Sequence, residues 1–502
     1  MLVGLCLGAR LVFLAAVSHR RPARPCFQTM PTKTELLDHL RPWGQEHLLA
    51  FWDELAPAEQ AHLAMQILRV DGALLTQLRQ EQQRDAAAGD ENSLNRLAAR
   101  AESPPAILLD GTGAPFSPAQ ARACGEQALR DGQLGMILVA GGLGTRLNFD
   151  HPKGMFPLGP VSEQPLFQIL IERLLAVSRR YGVSIPLYLM TSPATDAETR
   201  QFLDENNNFG LPADDLHIFP QETMWAIDDS WRRILLESRG SLFLGPDGHG
   251  GMLAALHGSG GLADIQRRGL RHLFYGQVDN PLLQVCDPQL VGSHILAESE
   301  MTTQVIRKRD PLERVGNVVS VDGRVHVIEY SDLAPELARQ TTAAGGLKLW
   351  AGSMAVHLFA ADFLRRVSAD RGALPFHRAH KKVPYVDEQG NQVTPDQPNA
   401  IRFEKFIFDL LPAAQNALVL EADPAEAFAP VKNAPGEKSD TPATARAAMA
   451  ARHRRWLLAA GVNVPPDVPV EISPLFALDA DELKQKLPPG LRIDKPTYMG
   501  PR

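Results

Sequence analysis

The chain has 502 residues, 44% of them hydrophobic and 22% charged, and a net charge of −7. This is an ordinary globular composition, long enough for a large core and two or three domains. The acidic balance excludes a bulk basic surface for nucleic acid. Four scattered cysteines, Cys6, Cys26, Cys124 and Cys286, with no C-x-x-C pair, argue against a zinc site or a disulfide framework.

Met1–Val17 is apolar apart from Arg10, and the basic string SHRRPARP follows it. A secretory signal carries its charge before the apolar region, and this stretch is too short for a membrane span. Residues 1–30 therefore read as an upstream extension with Met30 as the start, and a weak membrane anchor is the alternative. Thr32–Arg100 spaces leucines three and four apart, which predicts a helical N-terminal appendage over residues 31–110, with Pro57 in a first helical turn. Ser103–Pro118, rich in Pro, Gly and Ser, reads as a linker.

Met136–Ala140 is an aliphatic run that predicts a buried strand. It leads into Gly141, Gly142 and Gly144, then Thr145, Arg146 and, further on, Lys153. Glycines at a strand end let backbone N–H groups approach a ligand, and such groups with two cations suit a polyphosphate. The loop is not a P-loop, because Lys153 precedes Gly154 and Met155 rather than Ser or Thr. Nor is it a dinucleotide loop, because Leu147 stands where the third glycine belongs. A plain glycine turn with two solvated cations is the bland alternative.

Further along, Pro165–Tyr181 predicts a helix, Pro186–Thr191 a strand, Thr195–Asn207 a helix and Leu216–Phe219 a strand. His272–Val278 predicts a strand that ends at Asp279. Thr302–Lys308, Asn317–Val321 and Arg324–Glu329 read as an antiparallel addition. His377-Arg-Ala-His380 has helical spacing and reads as a basic surface face, since no carboxylate completes a metal set. Gly258-Ser259-Gly260 lacks the hydrolase elbow. Asn433–Pro442 reads as a second linker. The alternation predicts an α/β fold with a mostly parallel sheet. The expected division is a catalytic unit over residues 111–435 and a small C-terminal lobe over 436–502.

The glycine loop resembles the signature of sugar-1-phosphate nucleotidyltransferases. The longer string is similar to the eukaryotic-type UDP-sugar pyrophosphorylase family, and within it to the UDP-N-acetylhexosamine pyrophosphorylases. The likeness covers roughly Leu134–Arg446. It runs through Tyr188–Thr195, Gly245–Gly251, Gln277–Asn280, Val327–Asp332, Lys381–Asp387, Pro398–Asp409 and Val431–Ala434, in one order. The resemblance implies a Rossmann-like mixed sheet, transfer of UMP from UTP to a sugar 1-phosphate with release of pyrophosphate, and magnesium. N-acetylglucosamine 1-phosphate is the leading acceptor, and UDP-glucose or broad UDP-sugar synthesis is the close alternative. A binding protein that senses nucleotide sugars without turnover is the rival from another class, and a cytidylyl or guanylyl enzyme is disfavoured. A cytoplasmic protein without stable membrane association is expected, and the oligomeric state is left open.

By the same resemblance, Ala140, Gly141, Gly142, Gly144 and Thr145 would cradle the nucleotide, and Arg146 would hold the β- and γ-phosphates. Lys153 would bridge the α-phosphate and the sugar phosphate, Lys432 would bind the sugar-side phosphate, and Asp279 would hold Mg²⁺. Gln221 and Gly248 match positions that read uracil. Arg402 stands where the family usually has lysine. On the sugar side the matching positions are His249, Gly316, Glu329, Ser353, Phe406 and Phe408. His249 and Ser353 replace asparagines of the acetylhexosamine enzymes, and Trp350 replaces a third. These replacements alter the pocket for the sugar while leaving uridylyl transfer untouched.

Overall fold

The computed structural model describes residues 30–87, 93–370 and 372–501. The expectation for residues 1–30 lies outside them except at Met30. Nine strands form the central sheet: β1 Leu134–Val139, β2 Leu187–Thr191, β3 Leu216–Pro220, β4 His272–Gln277, β5 Met301–Arg307, β6 Asn317–Val321, β7 Arg324–Ile328, β8 Ala351–Ala360 and β9 Ala417–Glu421. Their order is β7-β6-β8-β4-β1-β2-β3, with β5 on β8 and β9 on β5. The four strands β4-β1-β2-β3 are parallel, while β8 joins β4 and β5 antiparallel and β6–β7 is an antiparallel hairpin. This is the expected Rossmann-like mixed sheet.

Aliphatic runs make this arrangement because strands covered on both faces have no polar side. Every residue of β2 is buried, as are the first five of β1. The helix Leu166–Tyr181 covers the sheet with Leu166, Phe167, Leu170, Ile171 and Leu174, and Gly182 closes it in a left-handed conformation (φ 70°). Helices Pro118–Arg130 and Pro288–Leu296 pack backbone to backbone. A Cβ on Gly292 would run into the Ala121 carbonyl oxygen, and one on Gly125 into that of Pro288.

The N-terminal helices begin with Thr32 and Glu35 in a reciprocal cap, and Pro57 opens Pro57–Ile67 as expected. Leu36, Leu40, Trp52, Leu63 and Ile67 share one apolar cluster with Trp225, Ile227, Ile234, Leu242 and Phe403 of later segments. The expected linker Ser103–Pro118 is docked on the sheet. Ile107 N donates to Val419 O and Glu421 N to Ile107 O, both 2.9 Å, which satisfies the edge of β9. At the C-terminus, Pro442–Ala459, Ala480–Lys486 and the parallel pair Val470–Ile472 with Thr497–Met499 enclose their own cluster around Leu457, Val470, Ile472 and Leu483. Among the described residues no helix is long and apolar enough to cross a membrane.

Candidate active site

β1 ends with Val139 level with Met190 of β2 and Gln277 of β4, so the three segments that follow emerge at one edge. That edge, beyond the carboxyl ends of parallel strands, is where such sheets bind ligands. Ala140 N donates to Met190 O (2.8 Å), and Val278 N to Val139 O (3.0 Å). The glycine loop then folds back on itself. Gly144 N donates to His151 O (2.9 Å), Lys153 N donates to Gly142 O (3.0 Å), and Thr145–Leu147 make a short 3-10 turn. Arg146, on that turn, is exposed and forms no ion pair among the described residues.

Lys153 Nζ lies 3.7 Å from Asp279 Oδ2, with 19% and 12% of the two side chains exposed. Asp279 O accepts from Val431 N (2.9 Å), which brings Lys432 to the same edge. Asn433–Pro442 is not a loose linker. Asp440 O takes the N–H groups of both Lys432 (2.7 Å) and Asn433 (2.9 Å), and this tight loop presents the lysine.

Gln221 follows β3, its N–H donating to Thr191 O (2.9 Å), and its side-chain oxygen would lie 3.1 Å from a Cβ on Gly141. Gly248 has φ 85°, and a Cβ there would strike the Lys405 carbonyl. Only glycine accepts both conditions. The contact ties Gly245–Gly251 to strand Ala400–Glu404 and beyond, through Lys405 N to Asp247 O (2.7 Å) and Gly250 N to Lys405 O (2.8 Å). Arg402 packs against Gly245, with its Nη2 3.7 Å from Glu404 Oε1. Burial pushes the Asp247 carboxyl up to about 7, against the pull of Lys405.

On the other side, Gly316, Glu329 and Ser353 are neighbours. A Cβ on Gly316 would lie 3.1 Å from Glu329 Oε1 and 3.7 Å from Ser353 Cβ, and Ser353 N donates to Gly316 O (2.8 Å). Burial raises the Glu329 carboxyl, and the Lys432 charge acts against it. His249 stacks on Phe406 (5.3 Å between ring centres) and lies 5.6 Å from Phe408. Ile407 N donates to His249 Nδ1 (3.2 Å), so the neutral ring carries its proton on Nε2. Burial, followed by the charges of Lys432 and His377, lowers His249 to about 4. This position therefore offers an N–H donor on a neutral ring.

His377 corrects the sequence expectation. His377–Lys381 is a strand paired with Ala400–Glu404, not a helical turn, so His377 and His380 face opposite ways. His380 stays on the surface beside Asp229 (2.7 Å). His377 instead packs on Phe406 at 4.5 Å, its Nε2 2.7 Å from Asp409 Oδ2. Burial opposes its charge, but Asp409, Asp332 and Glu329 together raise its pKa above the ordinary histidine value. The missed signal was Pro375 and Pro384, which bracket the run and disfavour helical backbone in the residue before each.

Among the described residues no group of three or more histidine, cysteine or acidic side chains is set to hold a metal. Asp279 nevertheless fits a magnesium ion. It is a hard oxygen donor at the loop's edge, and magnesium bound to nucleotide phosphates needs only one or two protein carboxylates.

A glycine loop, nearby cations and an acid at the carboxyl edge of parallel strands define the nucleotidyltransferase class. The family described as UTP–glucose-1-phosphate uridylyltransferase matches residues 119–485. The chain is 35% identical to the human UDP-N-acetylhexosamine pyrophosphorylase-like protein 1, over 91% of this chain and 95% of that one. It is 37% identical to the UDP-N-acetylglucosamine pyrophosphorylase of Saccharomyces cerevisiae, over 72% and 77%. The crystal structure of the Trypanosoma brucei uridine diphosphate N-acetylglucosamine pyrophosphorylase with an inhibitor superposes with a TM-score of 0.77 at 28% identity, covering 92% of this chain and 95% of that one. The chain belongs to the UTP–glucose-1-phosphate uridylyltransferase family and is a uridylyltransferase that forms a UDP-sugar.

Proposed function

We propose that this protein makes UDP-N-acetylglucosamine and pyrophosphate from UTP and N-acetylglucosamine 1-phosphate, with magnesium, in the cytoplasm. The observation that carries the reading is the meeting of Lys153, Asp279 and the Val431–Lys432 segment beside the glycine loop. A phosphate monoester bears about −1.5 to −2 charges near neutrality, and the triphosphate brings more, so the two substrates repel. Direct attack of the sugar-phosphate oxygen on the α-phosphorus needs no covalent enzyme intermediate. Positioning and charge stabilisation supply the catalysis.

In this reading Arg146 binds the phosphates that leave as pyrophosphate, and its exposure suits a group that meets its partner only on binding. Lys153 stands between the α-phosphate and the sugar phosphate, and Lys432 holds the latter. Asp279 would hold magnesium, which would supply neutralisation of phosphate charge. Gln221, at the end of β3, and the backbone at Gly248 read the uracil, with Arg402 beside them. Glu329 and Ser353 bind sugar hydroxyls, His249 donates from Nε2, and Phe406 and Phe408 wall the pocket. The division into residues 31–110, 111–435 and 436–502 belongs to the same proposal, supported by the separate apolar cluster of the C-terminal lobe.

His249 and Ser353 favour a second reading of the acceptor, in which glucose 1-phosphate or several sugars are used. Incubation with UTP, magnesium and a panel of sugar 1-phosphates separates the two. UDP-N-acetylglucosamine as the main product is expected, UDP-glucose would favour the second reading, and no product from any sugar would overturn both. Lys153→Ala is expected to lower kcat by about 10²–10³ while changing UTP affinity far less. Equal loss in kcat and in UTP binding would remove Lys153 from the reacting centre.

A further inference from the structure

A cavity of about 330 Å³ lies between helix Leu166–Tyr181, the segment Leu283–Pro288 and the C-terminal lobe. Its walls include Arg173 and Arg452, only 7% and 3% exposed. Arg173 Nη1 donates to the carbonyls of Pro281 (2.9 Å) and Leu283. Arg452 Nη1 donates to those of Glu426 (3.1 Å) and Leu282 (3.4 Å). Among the described residues neither guanidinium forms an ion pair, and Arg452 Nε has no hydrogen-bond partner. Of the acids in the lining, Asp287, Glu426 and Asp479 are engaged elsewhere, and Asp481 is exposed to solvent. Arg180 takes Asp479 and Glu482, Arg455 and Trp456 take Glu426, and Asp287 caps Pro288–Leu296 through Leu290 N.

Buried charges in folded proteins are paired, because an unpaired one loses its hydration without compensation. Here two of the same sign face one space. Burial and then the neighbouring Arg452 hold the Arg173 guanidinium well below its usual range, and burial lowers Arg452 to about 10. A single carboxylate would answer one of the two guanidinium groups. A phosphate monoester, with about −1.5 to −2 charges and three acceptor oxygens, answers both. The remaining lining is mixed: polar and charged groups such as Arg122, Gln284 and His453 share it with Val177, Leu283, Ile472 and Trp456, which give an apolar wall with room for more than the phosphate.

We propose that this cavity binds a small phosphate ester, its phosphate between Arg173 and Arg452 and its body against Val177, Leu283 and Trp456. The site is separate from the glycine loop, but it is linked to it. The same two arginines hold Pro281–Leu283, the segment that follows Asp279, so an occupant steadies the turn that carries that acid.

The test is calorimetric titration of the full-length protein with phenyl phosphate and with inorganic phosphate, without UTP or metal. Ala480→Trp fills the cavity from its lining and leaves both arginines in place, and Ala480 is not among the residues placed at the active site. Arg452→Met removes one cation directly. Phenyl phosphate is expected to bind at least tenfold more weakly to each variant than to the parent, with turnover of Ala480→Trp within twofold of the parent in phosphate-free buffer. Tighter binding of phenyl phosphate than of inorganic phosphate supports an ester. Equal binding of the two overturns the ester and leaves only the free ion. Affinity unchanged in both cavity variants but lost in Lys153→Ala would place the ligand in the active site and overturn the proposal.

Discussion

His377 and Asp409 illustrate what a single contact contributes at the end of the site where we place the sugar. The imidazole lies between a carboxylate at 2.7 Å and the ring of Phe406 at 4.5 Å, and its charge is felt by Glu329 and His249. His377→Asn shortens the side chain, leaves Asp409 without its partner and lets Phe406 shift. The KM for the sugar 1-phosphate is expected to rise about tenfold, the scale of one lost charge-assisted hydrogen bond, with the KM for UTP unchanged. A matching rise for UTP would show that the pair does not act on the sugar side. At this scale the sequence was informative about residue types in motifs and misleading about His377, which it placed on a helical surface face. A histidine's role depends on what packs against it, and Asp409 comes from a segment far along the chain.

Among the elements, helices Pro118–Arg130 and Pro288–Leu296 depend on the absence of side chains at Gly125 and Gly292. Gly292→Val would push two branched methyls into the Ala121 carbonyl and force the helices apart. A loss of about 1–3 kcal/mol is expected from such overpacking, read as a lowered Tm, with Gly258→Ala, whose added Cβ meets open space without a positive φ, as the control. An unchanged Tm would mean that the pair is not tightly seated. Strands β1 to β4 and the helices after β1 and β2 were legible because apolar runs of strand length alternate with longer amphipathic stretches, whereas the short helices Met252–Gly258 and Gly261–Arg267 between β3 and β4 were not. The strand His377–Lys381 was not, since short polar strands share their spacing with helical turns and are decided by their partner, here Ala400–Glu404.

For the molecule as a whole, buried histidines set the response to acid. Burial lowers His249 and His272 to about 4, and His294 and His357 to about 3. Both ring nitrogens of His357 lack a partner among the described residues, and His294 Nδ1 meets Thr302 Oγ1 at 2.8 Å. Between about pH 6.5 and these lowered values the unfolded chain binds protons that the folded chain refuses, so stability rises with pH across that window. Thermal unfolding from pH 7.5 down to 4.5 should therefore show a Tm that begins to fall near pH 6.5. His357→Phe should make the fall shallower. A Tm flat to pH 5 would contradict the neutral, buried state assigned to these rings.

The fold class, the glycine loop and the family were written in local patterns: an aliphatic strand, glycines at its end, and blocks in a set order. Such signals survive in the sequence because backbone geometry and burial act on neighbouring residues. The joining of Lys153 to Asp279, the folding back of Asn433–Pro442 behind Lys432, and the docking of Ile107 on β9 were settled by packing between distant segments. So was the cavity between Arg173 and Arg452. Long-range contacts of this kind depend on which surfaces meet once the sheet has formed, and no spacing along the chain records that.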